Sequence, residues 1–126
     1  MLKPFLTKED QMAKQAQFTN KRLLFNKSID FPELPGVYKF FNSQHEIIYI
    51  GKAKNIKNRV KNYLNVRKGE GKRIAKLKSS IKFIETIITK SESDALILEQ
   101  GLISKKRPPF NIQFRDDKSY PAIHLS

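Results

Sequence analysis

Gly36-Val37-Tyr38-Lys39-Phe40-Phe41 and Ile47-Ile48-Tyr49-Ile50-Gly51 are two short runs dense in aromatic and β-branched residues. The polar stretch Asn42-Ser43-Gln44-His45-Glu46 separates them. Two such runs across about five polar residues predict an antiparallel hairpin. Its strands are expected over 36–41 and 47–50, with Gly51 ending the second and letting the backbone turn sharply. Pro32 and Pro35 punctuate the entry to the hairpin.

Downstream, Ile56, Val60, Tyr63 and Leu64 recur at i, i+4, i+7 and i+8, the apolar face of a helix over 55–65. A loop with Gly69 and Gly71 leads to a second short helix over 72–80. The Ile- and Thr-rich run 82–89 reads as a central, doubly covered strand. Ser91, with Asp94 three residues on, opens another helix. Its body, 95–103, is almost all apolar, so it should be buried, and Pro108 and Pro109 stop it. Residues 110–114 read as a short strand, 115–121 as a charged loop and 122–125 as a last strand. Upstream, 1–33 reads as a polar leader with one short helix over 8–25, and 34–126 as the folded domain. The mixture of elements makes an α/β (α+β) domain on a small sheet.

The chain has 126 residues, a length that predicts one domain. It has no Cys, which excludes a disulfide framework and a thiolate zinc site. No stretch approaches the roughly 18 apolar residues of a membrane span. Residues 1–11 carry both charge signs and lack the apolar core of a signal peptide. The reading is a soluble protein of a reducing, cytoplasmic compartment. The net charge is +13, which points to a polyanionic partner. Residues 52–82 hold twelve basic residues against one acid, Glu70, and so carry nearly all of the excess. Lys54, Lys57, Lys61, Arg67, Lys68, Lys72, Arg73 and Lys76 are the candidate phosphate-binding cations, whose contacts would make affinity strongly salt-dependent.

Glu99 stands among Ala95, Leu96, Leu102 and Ile103, where an unpaired carboxylate is costly. Its spacing allows a buried ion pair, a rim residue reaching water, or a ligand to a hard cation. Tyr38 and Tyr49 lie on the paired strands, where core packing is the ordinary role of tyrosine. Arg59 and Tyr63 are one helical turn apart, and Lys52 follows Gly51. Cations such as Lys52 and Arg59 would favour phenolate and lower the pKa of a nearby tyrosine.

The triplets Gly36-Val37-Tyr38 and Tyr49-Ile50-Gly51 resemble the paired signature of the GIY-YIG nuclease superfamily. The likeness extends to Arg59 and Tyr63 on the following helix and to Glu99. The runs 34–38, 49–56 and Arg115-Asp116-Asp117-Lys118-Ser119-Tyr120-Pro121 are similar to the N-terminal domain of the UvrC family. That resemblance implies a small, mostly antiparallel three-stranded central sheet flanked by helices. It implies a bacterial excision-repair endonuclease that cuts damaged double-stranded DNA on the 3′ side of a lesion, partnered by UvrB with UvrA upstream. It implies a single Mg²⁺ or Mn²⁺ ion on Glu99, Tyr49 as general base and Tyr38 lining the same site. Arg59 would stabilise charge on the phosphate, and Lys52, Tyr63 and Asn111 would be further active-site groups. A stand-alone GIY-YIG nuclease and a catalytically silent DNA-binding module are the alternatives. The Asp116–Pro121 run speaks against the first, and the full set of site residues against the second.

Overall fold

The structure, a computed structural model, describes residues 21–65 and 67–116. Four strands, β1 (Leu23–Leu24), β2 (Gly36–Phe41), β3 (Ile47–Ala53) and β4 (Phe83–Ile88), form one antiparallel sheet in the order β1-β4-β2-β3. Helices α1 (Ile56–Leu64) and α2 (Lys72–Ser80) lie between β3 and β4 in the chain, and α3 (Glu92–Lys106) and α4 (Pro109–Asp116) follow β4. The expected small three-stranded antiparallel sheet is present, with β1 added as a short fourth strand. Its middle strand is β2 of the hairpin. β4, expected to be central and doubly covered, lies between β2 and the two-residue β1 with only Ile84 and Thr86 fully buried. No described helix is long and apolar enough to cross a membrane.

Strand alternation sorts the side chains between two faces. Tyr38 and Phe40 of β2 lie opposite Gly51 and Tyr49 of β3 and opposite Thr86 and Ile84 of β4. This face packs on Ile56 and Val60 of α1, Leu77 of α2, and Phe110 and Phe114 of α4. Fully burying such aliphatic and aromatic side chains contributes roughly 1.5–3 kcal/mol each. Val37 and Ile50 point to the other face, where Ala95, Leu98, Leu102 and Ile103 of α3 cover them. On that face Lys39 lies opposite Glu85 and pairs with it at 3.3 Å. Arg22, just before β1, adds a 2.8 Å ion pair to Glu85 and lies over the Phe41 ring.

Caps set the start of two helices. The Asn55 side chain accepts the Asn58 N–H at 3.1 Å, starting α1 directly after β3. Ser91 Oγ accepts the Asp94 N–H at 3.1 Å and starts α3 at the position expected from its sequence.

Several expectations are corrected. Gly51 does not end a strand, because β3 continues to Ala53. Its reason is close approach: a Cβ at Gly51 would lie 2.2 Å from Tyr38 Oη and 2.3 Å from Cζ. Gly36 answers a similar demand, since a Cβ there would meet the Ile87 carbonyl oxygen at 2.4 Å. Residues 110–114 are helical, not a strand, and α4 carries on through Arg115 and Asp116, where a loop was expected. Phe110 and Phe114 are four apart, so a helix buries both on one side, and Pro109 suits its first turn. The helix expected over 8–25 ends instead in strand β1, and residues 8–20 lie outside the described residues, as does the strand expected over 122–125. Helix α3 is not buried all round. It lies on the sheet by one side, leaving Ile97 71% exposed and Leu96 partly so.

Candidate active site

Among the described residues the sheet ends at β3, and a cleft of about 520 Å³ opens beside it, between α3 on one face and α1 and α4 on the other. Tyr38, Tyr49, Lys52, Arg59, Tyr63, Glu99 and Asn111 all line this cleft. Residues up to 73 positions apart are thus brought together by the hairpin, by the capped start of α1 and by the return of α3 and α4.

The tyrosines form one wall. Tyr38 is 2% exposed and Tyr49 8%, so both rings are core residues that show only an edge to the cleft. The missing Cβ at Gly51 leaves the lane through which the Tyr38 hydroxyl crosses β3. Tyr38 Oη meets Tyr63 Oη at 3.2 Å, and the three tyrosine rings lie 5.7–6.4 Å apart between centroids. Burial pushes the Tyr38 phenol well above its ordinary value, with the neighbouring Tyr63 and Tyr49 adding to the effect. Arg59 opposes this, but as the smallest influence. The expectation that nearby cations lower a tyrosine pKa therefore fails for Tyr38: desolvation outweighs a guanidinium that is itself exposed to water.

Helix α3 forms the facing wall. Glu99 is half-buried, and desolvation raises its carboxyl above the usual range. The Lys52 ammonium, the Lys52 backbone N–H and Arg59 pull the other way without cancelling the effect of burial. Lys52 also lies 3.9 Å from Glu92, two turns before Glu99 on the same helix. Glu99 is thus neither a closely paired ion nor a free surface acid. Among the described residues there is no group of three or more His, Cys, Asp or Glu side chains that could hold a metal.

Asn111 borders the cleft with its amide already engaged. Its Nδ2 donates to the Ile50 carbonyl at 2.8 Å, and its Oδ1 accepts the Ile50 N–H at 2.8 Å. Sequence reasoning placed Asn111 at the site but could not see this bond pair. It missed Leu96, Gln100, Ile103, Phe114 and Arg115 as lining residues, although Gln100 and Arg115 sit beside residues already singled out.

The eight candidate phosphate-binding cations behave unequally. Lys54, Lys61, Lys68, Lys72 and Lys76 are exposed. Lys57 pairs with Asp30 at 3.2 Å, Arg67 donates to Asn62 at 3.2 Å, and Arg73 donates to the Gln113 carbonyl at 3.2 Å. Lys78, in the same basic stretch, is buried against Glu70 and the Asn65 carbonyl.

A small antiparallel sheet with paired tyrosines, an arginine and one half-buried carboxylate in a cleft at its edge is the architecture of a GIY-YIG nuclease domain. The family described as the UvrC-like GIY-YIG domain matches residues 34–112. The UvrABC system protein C of Neisseria meningitidis serogroup B is 50% identical over 103 residues, covering 82% of this chain and 16% of that protein. Its counterpart in Pseudomonas fluorescens Pf-5 is 51% identical over 92 residues, covering 73% of this chain and 15% of that protein. The crystal structure of the GIY-YIG N-terminal endonuclease domain of UvrC from Thermotoga maritima, bound to its catalytic magnesium, is 42% identical. It superposes with a TM-score of 0.55, covering 63% of this chain and 84% of that one. The chain belongs to the UvrC-like GIY-YIG domain family, a family of DNA endonucleases. It spans about one sixth of the length of the curated relatives it matches.

Proposed function

We propose that this domain hydrolyses one phosphodiester of damaged double-stranded DNA on the 3′ side of the lesion, when UvrB, loaded by UvrA, presents the strand to the cleft. The observation that carries this reading is the meeting of Tyr38, Tyr49, Lys52, Arg59, Tyr63 and Glu99 in one cleft of about 520 Å³.

The cleft suits a hard divalent cation. Its donors are oxygens, and Glu99 is a carboxylate partly removed from water without a full counter-charge. A lone carboxylate matches an ion that keeps several of its waters, as magnesium does and manganese can. Glu99 would hold it, and when bound it would supply Lewis-acid charge to a phosphate oxygen and to the departing 3′-oxygen.

The protein's own groups divide the remaining tasks. Tyr49, in its phenolate form, is the general base: its oxygen takes a proton from the attacking water as that water bonds to phosphorus and the bond to the 3′-oxygen breaks, and the departing 3′-oxygen takes its proton from solvent water. Tyr38 stays protonated because burial disfavours its phenolate, so it acts as a donor and orienting group. Tyr63 shares a hydrogen bond with Tyr38 and relays that orientation. Arg59 and Lys52 meet the negative charge that builds on the non-bridging oxygens. Asn111, with its amide on Ile50, positions the cleft by fixing α4 to β3 rather than touching DNA. The exposed lysines of the 52–82 stretch hold the backbone without reading sequence.

The test is incision of a lesion-bearing duplex with UvrA, UvrB and Mg²⁺ or Mn²⁺. Glu99→Ala should lose metal-dependent cutting while keeping DNA affinity. Full cutting by that variant overturns the metal assignment, and a cut mapped elsewhere than the 3′ side overturns the proposed substrate.

A further inference from the structure

A second recess of about 530 Å³ lies at the seam where α3 passes into α4. It is continuous with the cleft, since Gln100, Ile103, Asn111 and Arg115 line both. Its other lining residues are Ser104, Arg107 and Ile112. Its polar groups are two guanidiniums, a hydroxyl, the Gln100 carboxamide and the Asn111 carboxamide already bonded to Ile50, and among the described residues no carboxylate lines it. Such a set is suited to an anion with several acceptor oxygens. Arg59 and Lys52 occupy the cleft proper, so Arg107 and Arg115 extend positive charge along one direction out of it.

The backbone at Arg107 carries a second observation. Arg107 closes α3 in the left-handed conformation, at φ 47° and ψ 58°, with its N–H bonded to the Ile103 carbonyl. Glycine is the usual residue at such a position, and a non-glycine residue there is strained by about 1 kcal/mol or more. The cation held in this conformation lines the recess. Pro108 and Pro109 then stiffen the turn that aims it.

We propose that this recess binds the phosphate adjoining the one that is cut, with Arg107 and Arg115 as its principal contacts. This rests on the nuclease reading above and adds a strand path: DNA runs from the cleft over Gln100 and Ser104 along the α3–α4 seam. The bound group is a backbone phosphodiester, so the contact is independent of base sequence. Arg107 is a binding residue of the substrate strand and takes no part in proton transfer.

The experiment is equilibrium binding of an oligonucleotide duplex over a salt series, measured without divalent metal so that no cutting intervenes. Arg107→Gly fits the left-handed turn, so the variant should melt no lower than the parent chain. Its affinity should fall about tenfold, and the slope of log affinity against log salt should flatten by about one. A neutral methylphosphonate at the adjoining position should weaken the parent chain similarly and leave Arg107→Gly unchanged. Unaltered affinity and slope in Arg107→Gly overturn the proposal. So does a lowered melting temperature with unaltered binding, which would make Arg107 only a partner of the α3 C-terminus. Binding is read without cleavage, so failure of the nuclease reading would appear separately, in the incision assay with Mg²⁺ added, as DNA that is bound but not cut.

Discussion

The basic stretch of α1 and α2 and the cleft beside β3 treat charge in opposite ways. The stretch holds twelve basic residues against one acid, yet Lys57, Arg67, Arg73 and Lys78 are turned to ion pairs or hydrogen bonds within the protein. Lys54, Lys61, Lys68, Lys72, Lys76 and Lys82 are exposed to water, where each contributes a modest, screened attraction, while Lys52 and Arg59 line the cleft. The cleft holds few charges, but they face one another across partly dried space, beside hydroxyls locked by packing. Number gives affinity for a polyanion; placement gives chemistry.

The sharpest break of this contrast is Tyr49→Phe. Removal of one oxygen from the cleft should slow incision by about 10²–10⁴-fold with DNA binding retained. Single-turnover cleavage at saturating DNA measures it, and near-normal rates would remove Tyr49 as base. The opposite half is tested by Lys54→Gln, Lys61→Gln and Lys68→Gln combined. Their loss should flatten the salt dependence of binding by up to about three while the rate at saturation stays close to that of the parent chain. A large fall in that saturated rate would show that the lysines do more than gather DNA.

The smallest expected effect concerns stability. Burial raises the Glu99 carboxyl in the folded chain, so the folded state binds its proton more tightly than the unfolded state does. Stability on this account is highest below the unfolded carboxylate value of about 4.3 and is lost as pH rises through the raised folded value. Glu99→Gln should therefore melt slightly higher than the parent chain at neutral pH, with the gap closing in acid. Added Mg²⁺ should raise the melting temperature of the parent chain and leave the variant unmoved. Thermal melts at several pH values, with and without the ion, decide both points.

Much of the site was legible through the resemblance to the GIY-YIG pattern, while periodicity placed its residues on particular strands and helices. Two triplets on opposed strands bring Tyr38 and Tyr49 together, and a helix places Arg59 and Tyr63 one turn apart. Glu99 was legible as a carboxylate among apolar neighbours. The region after Pro109 was not, because Phe110, Ile112 and Phe114 satisfy strand alternation while Phe110 and Phe114 also satisfy a helix. Ile112 settles it: it is 39% exposed, on the side away from the two buried phenylalanines. Glycine was read as a turn residue at 51, because the ring that needs its space belongs to another strand. The pairing of Leu23 and Leu24 with β4 is as hard to foresee, since two residues have no period and their partners lie some sixty positions away.

The Asn111–Ile50 bond pair has a consequence beyond the cleft. Among the described strands β3 is the outer one, and the outward N–H and C=O of Ile50 are of the kind that template pairing with another chain. A carboxamide presents the same donor and acceptor as a peptide unit, so Asn111 stands in for one residue of a fifth strand and occupies that template. At the opposite edge β1 is only two residues long and offers little to join. The side chain that fixes α4 beside the cleft also guards the sheet against aggregation.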